Sequence, residues 1–212
     1  MRNLKEMAES ATNILIPKGD DNKPSVQAFQ EWADIEVPSF RGRELMAKSA
    51  GRVFWLFKGK DIPNLIATGN GDIGMTGTDS RIEYTNRASN SEAKIRYERI
   101  AEAMCRFSLL ALDEQSDRIS RQLDETRSMQ TLQVVTSRPR LLDYYSGNLP
   151  ILRTDLSLNG SVEAALRLVG TPLVADIVQS GETARQNGLK EILALGLMYP
   201  EVVARSDYED VS

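Results

Sequence analysis

Residues 176–188, with the sequence DIVQSGETARQNG, combine residue types that can hold an anion. The stretch follows an apolar run and begins with Asp176. A strand that ends in a glycine-containing turn and enters a helix presents free backbone N–H groups and the positive end of the helix dipole. Gly181 lets the backbone approach a phosphate closely, and Ser180 and Thr183 add hydroxyl donors. Asp176 is placed to accept hydrogen bonds from ligand hydroxyls or to hold a hydrated magnesium ion.

The same residues are also compatible with a purely structural turn. Ser-Gly-x-Thr is a common sequence, and a capped helix after a core strand would produce it without any ligand. The stretch is not a Walker loop, because Gly-x-x-x-x-Gly-Lys-Ser/Thr is absent from the chain. Taken alone, the residues leave both interpretations open.

Bulk composition limits the classes of protein to which the chain can belong. Its 212 residues, 41% of them hydrophobic, suffice for one large or two small globular domains. A net charge of -4 and a pI near 5.1 give no basic field, so neither nucleic acid nor an anionic membrane is an expected partner. With no signal-type segment and no apolar run of about 18 residues, the sequence predicts a cytoplasmic protein.

The scarcity of soft metal ligands narrows the chemistry. The chain has no histidine and one cysteine, Cys105, which excludes a disulfide framework and argues against a zinc site. Any metal is therefore expected to be a hard cation bound by oxygen, and acid–base chemistry would fall to carboxylates, lysine or tyrosine. Cys105 itself is expected to be a small buried apolar residue.

Short apolar segments alternate with helical patterns along the chain, which predicts an α/β fold with mostly parallel sheets flanked by helices. Predicted strands cover 13–16, 53–57, 72–77, 106–112, 132–136, 151–155 and 173–177. Predicted helices cover 25–33 with Ser25 as cap, 62–67, 140–145, 161–168 and a segment from about 183. The polar stretch 85–98 is either a domain crossing or a solvated helix, the charged run 113–127 an exposed helix or loop, and 192–204 a last apolar segment.

Five ordered stretches resemble one family, ATP phosphoribosyltransferase, the first enzyme of histidine biosynthesis. The main ones are LNGSVEAA followed by VADIVQSGET, and DIPNLIATGNGDIGMTGTD. The smaller ones are ILIPKG, CRFSLLAL and VVTSRPRLLDYY. The resemblance covers about residues 13–205.

The resemblance implies a two-lobed fold like that of periplasmic binding proteins, with the active site in an interlobe cleft. Lobe I would be 1–96 completed by 188–212, and lobe II would be 97–187 and carry the donor phosphate loop. The chain length is similar to that of the short form of the enzyme. That form implies an oligomer and a separate regulatory subunit related to histidyl-tRNA synthetase.

The implied reaction joins N1 of the adenine of ATP to the ribose of 5-phosphoribosyl 1-pyrophosphate, releases pyrophosphate, and uses Mg²⁺. It asks the protein mainly to align two polyanions and to stabilise an oxocarbenium-like ribose. Matching positions imply catalytic roles for Glu163, Asp176 and Lys58, with Asp176 also a candidate for magnesium. They imply substrate-binding roles for Lys18, Asp72, Thr78, Ser161, Ser180, Gly181, Glu182 and Thr183.

Several of these positions also have a structural interpretation. Asp61 before the helix 62–67 is typical of a helix cap, and Glu163 could be a first-turn acid favoured by the dipole. Gly74 and Gly77 could permit tight strand packing. Lys58 sits in a loop, where a lysine usually faces solvent.

Four departures from the family pattern qualify the resemblance. Asp20 replaces an arginine in the opening loop, and Lys58 replaces an arginine fork with a point charge. Arg138 replaces the tyrosine of a Tyr-Pro pair, and Pro172 stands where one of two acids is lost. None of these departures falls in the Ser-Gly-x-Thr stretch that matches the family's donor phosphate loop. Two alternatives stay open: a phosphoribosyltransferase with another nucleotide or base as acceptor, and a non-catalytic protein that binds a nucleotide or anion.

Overall fold

The computed structural model describes residues 3–85, 95–124, 131–157 and 162–206. Its strands are β1 Asn13–Pro17, β2 Met46–Ser49, β3 Arg52–Phe57, β4 Ile73–Gly77, β5 Ile95–Arg99, β6 Cys105–Leu112, β7 Leu132–Thr136, β8 Ile151–Ser157, β9 Leu173–Val178, β10 Leu189–Met198 and β11 Pro200–Arg205. Its helices are α1 Leu4–Ser10, α2 Lys23–Ala33, α3 Ile62–Ala67, α4 Thr78–Thr85, α5 Ser116–Asp124, α6 Pro139–Tyr145, α7 Val162–Val169 and α8 Glu182–Gln186.

The chain divides into two compact units. Unit 1 comprises residues 1–104 and 199–212, and unit 2 comprises 105–198. The boundaries predicted from the sequence, after 96 and after 187, come earlier in the chain than the boundaries of these units, after 104 and after 198. β5 pairs with β11 and so belongs to unit 1. β10 pairs along the whole of β6 and so belongs to unit 2.

Unit 1 is a six-stranded sheet in the order β2-β3-β1-β4-β11-β5. Its central strand β1 is parallel to both β3 and β4. Ile14 and Ile16 of β1 are packed in one cluster with residues of α1 and α2, whereas Leu15 is packed in another with residues of α3. This alternation buries both faces of β1, and each such side chain contributes about 1.5–3 kcal/mol relative to exposure.

Unit 2 is a five-stranded sheet in the order β10-β6-β9-β7-β8. The strands β7, β8 and β9 are parallel, so their carboxyl ends meet at one edge. β6 is antiparallel to β9 and brings Arg106 to that edge, opposite Val178. One core cluster of the unit contains Leu110, Val174 and Leu166, and Ala184 of α8 packs against it.

The α/β class predicted from the sequence is confirmed, but the strand pairing is mixed. Among the described residues, four of nine strand pairings are parallel and five are antiparallel, so the expectation of mostly parallel sheets was wrong. β2 and β3 form a hairpin, and so short a connection requires antiparallel strands. The other four antiparallel pairings join strands that are far apart in the chain, so local alternation could not indicate their direction.

Most predicted elements are present, with differences at their ends. Ser25 does not cap α2, which begins at Lys23 after Asn22. The stretch predicted as a crossing or solvated helix contributes β5, while 86–94 lies outside the described residues. Within the charged run, α5 buries Ile119 and Leu123 on one face. In the described part of the chain, no helix is long and apolar enough to cross a membrane.

Candidate active site

The loop predicted to bind an anion follows β9 in unit 2. β9 ends at Val178, and the chain passes through Ser180 and Gly181 into α8. Gly181 has a φ of 76°, in the left-handed region that glycine adopts at low cost. We call residues 180–183 the donor loop. The described structure therefore contains the strand, glycine turn and helix that the sequence indicates.

Hydrogen bonds within the donor loop are local. The Ser180 Oγ accepts the backbone N–H of Glu182 at 3.2 Å, which closes a turn. The Glu182 carboxylate accepts bonds from Arg185 at 2.6 Å and Gln186 at 3.0 Å. The Arg185 hydrogen bond is the main cause that lowers the pKa of Glu182. The side chains of Ser180, Glu182 and Thr183 are exposed and hence accessible to a ligand.

The helix after the loop is shorter than a strong dipole requires. α8 has five residues, Glu182–Gln186. A helix macrodipole is the sum over aligned peptide units. Such a short helix therefore adds little electrostatic attraction beyond that of its individual N–H groups. An anion at this loop would therefore be held chiefly by backbone N–H groups and by the hydroxyls of Ser180 and Thr183.

Asp176 lies two residues before the end of β9, directly opposite Ser108 of β6. Opposite residues of an antiparallel pair share a face of the sheet. The Asp176 Oδ1 accepts the backbone N–H of Ile177 at 2.8 Å, and the side chain is half-buried. The structure thus brings Asp176 to the same strand end as the donor loop.

A second group of side chains at this edge was missed by sequence reasoning. The Arg106 Nε donates to Glu191 Oε1 at 2.6 Å, and its Nη2 donates to Glu191 Oε2. The Arg106 Nη1 donates to the carbonyl oxygen of Gln179 at 3.2 Å. Ser108 donates to Glu191 Oε1 at 2.8 Å. Arg106 occurs in CRFSLLAL, but nothing in the sequence pairs it with a residue 85 positions away.

A cavity of about 370 Å³ lies beside the donor loop in unit 2. Its lining includes Ser180 and Gly181 of the loop, together with Arg106, Lys190 and Glu191. Cations and carboxylates are thus mixed along its wall. The cavity offers polar contacts of both signs next to the donor loop.

In unit 1, Lys18 and Lys58 follow the neighbouring parallel strands β1 and β3 at the same edge of the sheet. The Lys18 backbone N–H donates to the carbonyl oxygen of Phe57 at 2.8 Å, which holds the two loops together. Both lysine side chains are exposed. The structure therefore brings these two predicted cations together.

Thr78, predicted to bind substrate, follows β4 at that edge but is only 2% exposed. Its hydroxyl donates to the Glu201 carboxylate at 2.8 Å and accepts the backbone N–H of Tyr199 at 3.2 Å. Arg81 donates to the same carboxylate at 2.8 Å, so the buried charge of Glu201 is compensated. The hydroxyl of Thr78 is occupied inside the unit, and its predicted contact with substrate stays a prediction.

Asp72 precedes β4 and lies at the opposite edge of the sheet from Lys18 and Lys58. Its Oδ2 accepts the backbone N–H groups of Thr12 at 2.9 Å and Asn13 at 2.7 Å. These bonds hold the beginning of β1. Asp72 thus has a structural role before β4, and its predicted contact with substrate stays a prediction.

Two predicted positions fall at the edge of what is described. Glu163 is the second residue of α7, where the first-turn interpretation places it. Ser161 lies outside the described residues. The predicted contacts of both residues stay predictions.

The structure tests the structural interpretations of Gly74, Gly77 and Asp61. A Cβ on Gly74 would lie 2.4 Å from Ile62 Cγ2, and one on Gly77 would lie 2.5 Å from Asp79 Oδ1. Tight packing against the core therefore explains Gly74, whereas the atom nearest Gly77 is the tip of a side chain rather than part of the core. Asp61 occupies the cap position of α3, but its side chain makes no capping hydrogen bond.

The departures from the family pattern have local contacts. Asp20 forms an exposed ion pair with Lys23 at 2.8 Å, and this hydrogen bond is the main cause that lowers the pKa of Asp20. Arg138 precedes α6, and its backbone N–H donates to the Thr136 hydroxyl at 3.0 Å. Pro172 is half-buried immediately before β9.

In the ranges that the structure describes, no group of three or more histidine, cysteine, aspartate or glutamate side chains could hold a metal ion. Asp176 alone is one carboxylate. The predicted role of Mg²⁺ stays a prediction.

Known proteins resemble this chain in sequence and in fold. A family model described as HisG: ATP phosphoribosyltransferase matches residues 58–209. The ATP phosphoribosyltransferase of Staphylococcus carnosus is 32% identical over 168 residues, which are 78% of this chain and 71% of the relative. That of Thermococcus kodakarensis is 30% identical over 179 residues, covering 84% and 80%.

Solved structures show the same architecture. The ATP phosphoribosyl transferase (HisG:HisZ) complex from Thermotoga maritima superposes with a TM-score of 0.61 at 21% identity, covering 91% of this chain and 87% of that chain. The periplasmic aliphatic sulphonate binding protein SsuA from Escherichia coli gives a TM-score of 0.54 at 15% identity, covering 93% and 62%. The fold is that of periplasmic binding proteins, and the chain belongs to the ATP phosphoribosyltransferase family.

Proposed function

We propose that this chain transfers the 5-phosphoribosyl group of 5-phosphoribosyl 1-pyrophosphate to N1 of ATP, as the first step of histidine biosynthesis. The observation that carries the proposal is the family match across 58–209, which includes the donor loop at the end of β9. In this reaction adenine N1 forms a bond to C1 of the ribose, and the bond from C1 to the pyrophosphate oxygen breaks.

The donor loop would bind the 5-phosphate of the donor. The exposed hydroxyls of Ser180 and Thr183 and the backbone N–H groups of the turn supply donors, and Gly181 leaves room for close approach. Asp176, near the end of the strand β9 that leads into the loop, would accept hydrogen bonds from the ribose hydroxyls. Its negative charge would also favour the oxocarbenium-like ribose that forms as pyrophosphate departs.

The remaining roles follow from the family. Glu163 would act near the ribose, and Lys18 and Lys58 would bind phosphate groups of the substrates. Mg²⁺ would arrive bound to the pyrophosphate and neutralise part of its charge, consistent with the absence of a three-ligand cluster among the described residues. ATP and the donor are intracellular metabolites, so the protein would act in the cytoplasm.

The test is mass spectrometry of products from the purified chain with Mg²⁺, ATP and 5-phosphoribosyl 1-pyrophosphate, with pyrophosphatase present to remove pyrophosphate. Phosphoribosyl-ATP is expected from the wild type and should be lost in the double variant Asp176→Ala, Thr183→Ala. Arg153→Lys, an exposed residue of β8, serves as the matched control. Donor binding by calorimetry without phosphoribosyl-ATP would instead favour another acceptor, and absence of both would contradict the proposal.

The assembly is a further part of the proposal. The chain would form an oligomer and work with a regulatory subunit related to histidyl-tRNA synthetase. Supporting this, the solved structure from Thermotoga maritima is a HisG:HisZ complex. Light scattering of the chain alone, and with such a subunit from the same source, measures both assemblies. A monomer that ignores the added subunit would contradict this part.

A further inference from the structure

We propose that Arg106 and Glu191 form an anchor that positions the donor loop and thereby sets the affinity for the 5-phosphoribosyl donor. The proposal rests on the donor-binding role proposed above, and it assigns positioning residues to that site. Neither residue was assigned a role from the sequence.

Arg106 contacts the backbone immediately before the donor loop. Its Nη1 donates to the carbonyl oxygen of Gln179 at 3.2 Å, and Gln179 immediately precedes Ser180. Arg106 lies on β6, opposite Val178, the last residue of β9. A single side chain from the adjacent strand therefore holds the backbone at the point where the donor loop begins.

Glu191 in turn holds the side chain of Arg106 in place. Its two carboxylate oxygens accept bonds from Nε and Nη2 of Arg106, a fork that fixes the plane of the guanidinium. Ser108 is fully buried and donates to Glu191 Oε1 at 2.8 Å, which fixes the carboxylate in turn. The bond to Gln179 is thus held by a chain of hydrogen bonds that runs from β10 through β6 to the loop.

The charges indicate that Arg106 positions the loop rather than binding phosphate directly. Glu191 neutralises the guanidinium, and two of the three guanidinium nitrogens are engaged with its carboxylate. The third nitrogen is engaged with Gln179. Mutual hydrogen bonding also raises the pKa of Arg106 and lowers that of Glu191, so the pair stays charged around neutral pH.

Sheet structure alone does not require this pair. β6 and β10 are already joined by backbone pairing from Leu189 opposite Leu112 to Met198 opposite Cys105. The side chains of Arg106 and Glu191 are 33% and 26% exposed, so they fill no core position. Loss of the pair should therefore affect the loop more than the folding of unit 2.

The test uses Arg106→Lys and Glu191→Gln in the full chain. Lysine cannot bridge Glu191 and Gln179 with a planar fork, and glutamine removes the charge at nearly constant shape. Calorimetry with Mg²⁺ and 5-phosphoribosyl 1-pyrophosphate should show Kd raised about tenfold in each variant, as for loss of a charged hydrogen bond. The KM for the donor should rise in parallel, while the KM for ATP changes less than about twofold.

Two controls separate positioning from general damage. Arg153→Lys alters another ion pair of the same unit, to Asp143 at 3.8 Å, and should leave Kd for the donor unchanged. The double variant should bind the donor no more weakly than the weaker single variant, because both residues act through one contact. Unchanged donor Kd in both single variants, or equal rises in both KM values, would overturn the proposal.

Amide hydrogen exchange keeps the proposal testable if the proposed function itself fails. Should the wild type neither bind nor consume the donor, the proposed function is wrong. Exchange at residues 179–183 then still decides whether the pair holds the loop. Faster exchange there in Glu191→Gln, with the rest of unit 2 unchanged, supports the anchor, and identical exchange overturns it.

Discussion

Gly181 is the residue on which the geometry of the donor loop depends most directly. Its φ is 76°, and a Cβ there would meet only Val178 Cγ1, at 3.8 Å. Gly181→Ala should therefore cost about 1 kcal/mol of backbone strain without a steric clash. If that strain shifts the loop, Kd for 5-phosphoribosyl 1-pyrophosphate should rise at least fivefold in calorimetry.

Gly147→Ala is the matched control for that strain. Gly147 also has a positive φ, 52°, and a Cβ there would meet nothing within 4 Å. The two variants should lose similar stability in urea unfolding, but only Gly181→Ala should weaken donor binding. Equal donor affinities in the two variants would show that the loop is not part of the binding site.

The carboxylate of Glu191 should make the stability of unit 2 depend on pH. The Arg106 hydrogen bond is the largest cause that lowers its pKa, opposed by partial burial. A folded pKa below the unfolded one gives stability that is present above the unfolded pKa and lost as pH falls through the folded pKa. The stability difference between wild type and Glu191→Gln should thus shrink from about pH 5 to about pH 3.

Urea unfolding at a series of pH values measures that difference. A constant difference down to about pH 3 would mean that the Arg106 interaction does not depend on the charge of Glu191. Arg153→Lys, whose partner Asp143 is 60% exposed at 3.8 Å, should show little of this dependence, since exposed pairs contribute weakly.

At the residue scale, the sequence predicts what is contiguous and misses what is distant. Asp176, Ser180 and Gly181 lie within six residues and were identified correctly as one strand end and turn. The partner of Arg106 is 85 positions away and that of Thr78 is 123 positions away. Only the sheet order brings such residues together, so no local pattern could indicate them.

At the element scale, Gly74 allows α3 to pack closely against β4. A Cβ on Gly74 would lie 2.4 Å from Ile62 Cγ2 and 3.3 Å from Ile66 Cγ1, both in the core of unit 1. Gly74→Ala should therefore force the helix away from the sheet and destabilise the protein by about 1–3 kcal/mol. The urea midpoint, with an unchanged slope, would record this loss.

Gly59→Ala provides the comparison within the same unit. A Cβ there would meet Pro17 and Ser80 at 3.7 and 3.8 Å, which are ordinary contacts, and Gly59 needs no positive φ. In Gly59→Ala the free energy of unfolding should change by less than about 0.5 kcal/mol. A similar loss in both variants would mean that replacing glycine, rather than the contact between α3 and β4, sets the cost.

Pairing direction is the element-scale property that the sequence did not provide. Alternation of strands and helices indicates the α/β class, and β1, β3 and β4 are parallel as that pattern predicts. β2 and β5 are edge strands, mostly half-buried or exposed, and lack the apolar run that marks a buried strand. Both were missed, and both pair antiparallel.

At the scale of the whole molecule, the two units differ in how the chain builds them. Unit 2 is one continuous segment, 105–198, whereas unit 1 is completed by residues after 198. The first and last residues of unit 2, Cys105 and Met198, are register partners in the β6–β10 pair. A segment whose ends meet in its own sheet can close without the rest of the chain.

The fragment 105–198 should therefore fold alone, with cooperative urea unfolding and dispersed NMR amide signals. The matched comparison is the fragment 97–187, bounded as the sequence alone suggests. It lacks β10, so β6 loses the partner that runs from Leu189 to Met198, and the Arg106–Glu191 pair is lost. We expect this fragment to unfold without cooperativity. Equal folding of both fragments would show that β10 is dispensable to unit 2, whereas failure of 105–198 would mean that unit 2 depends on unit 1.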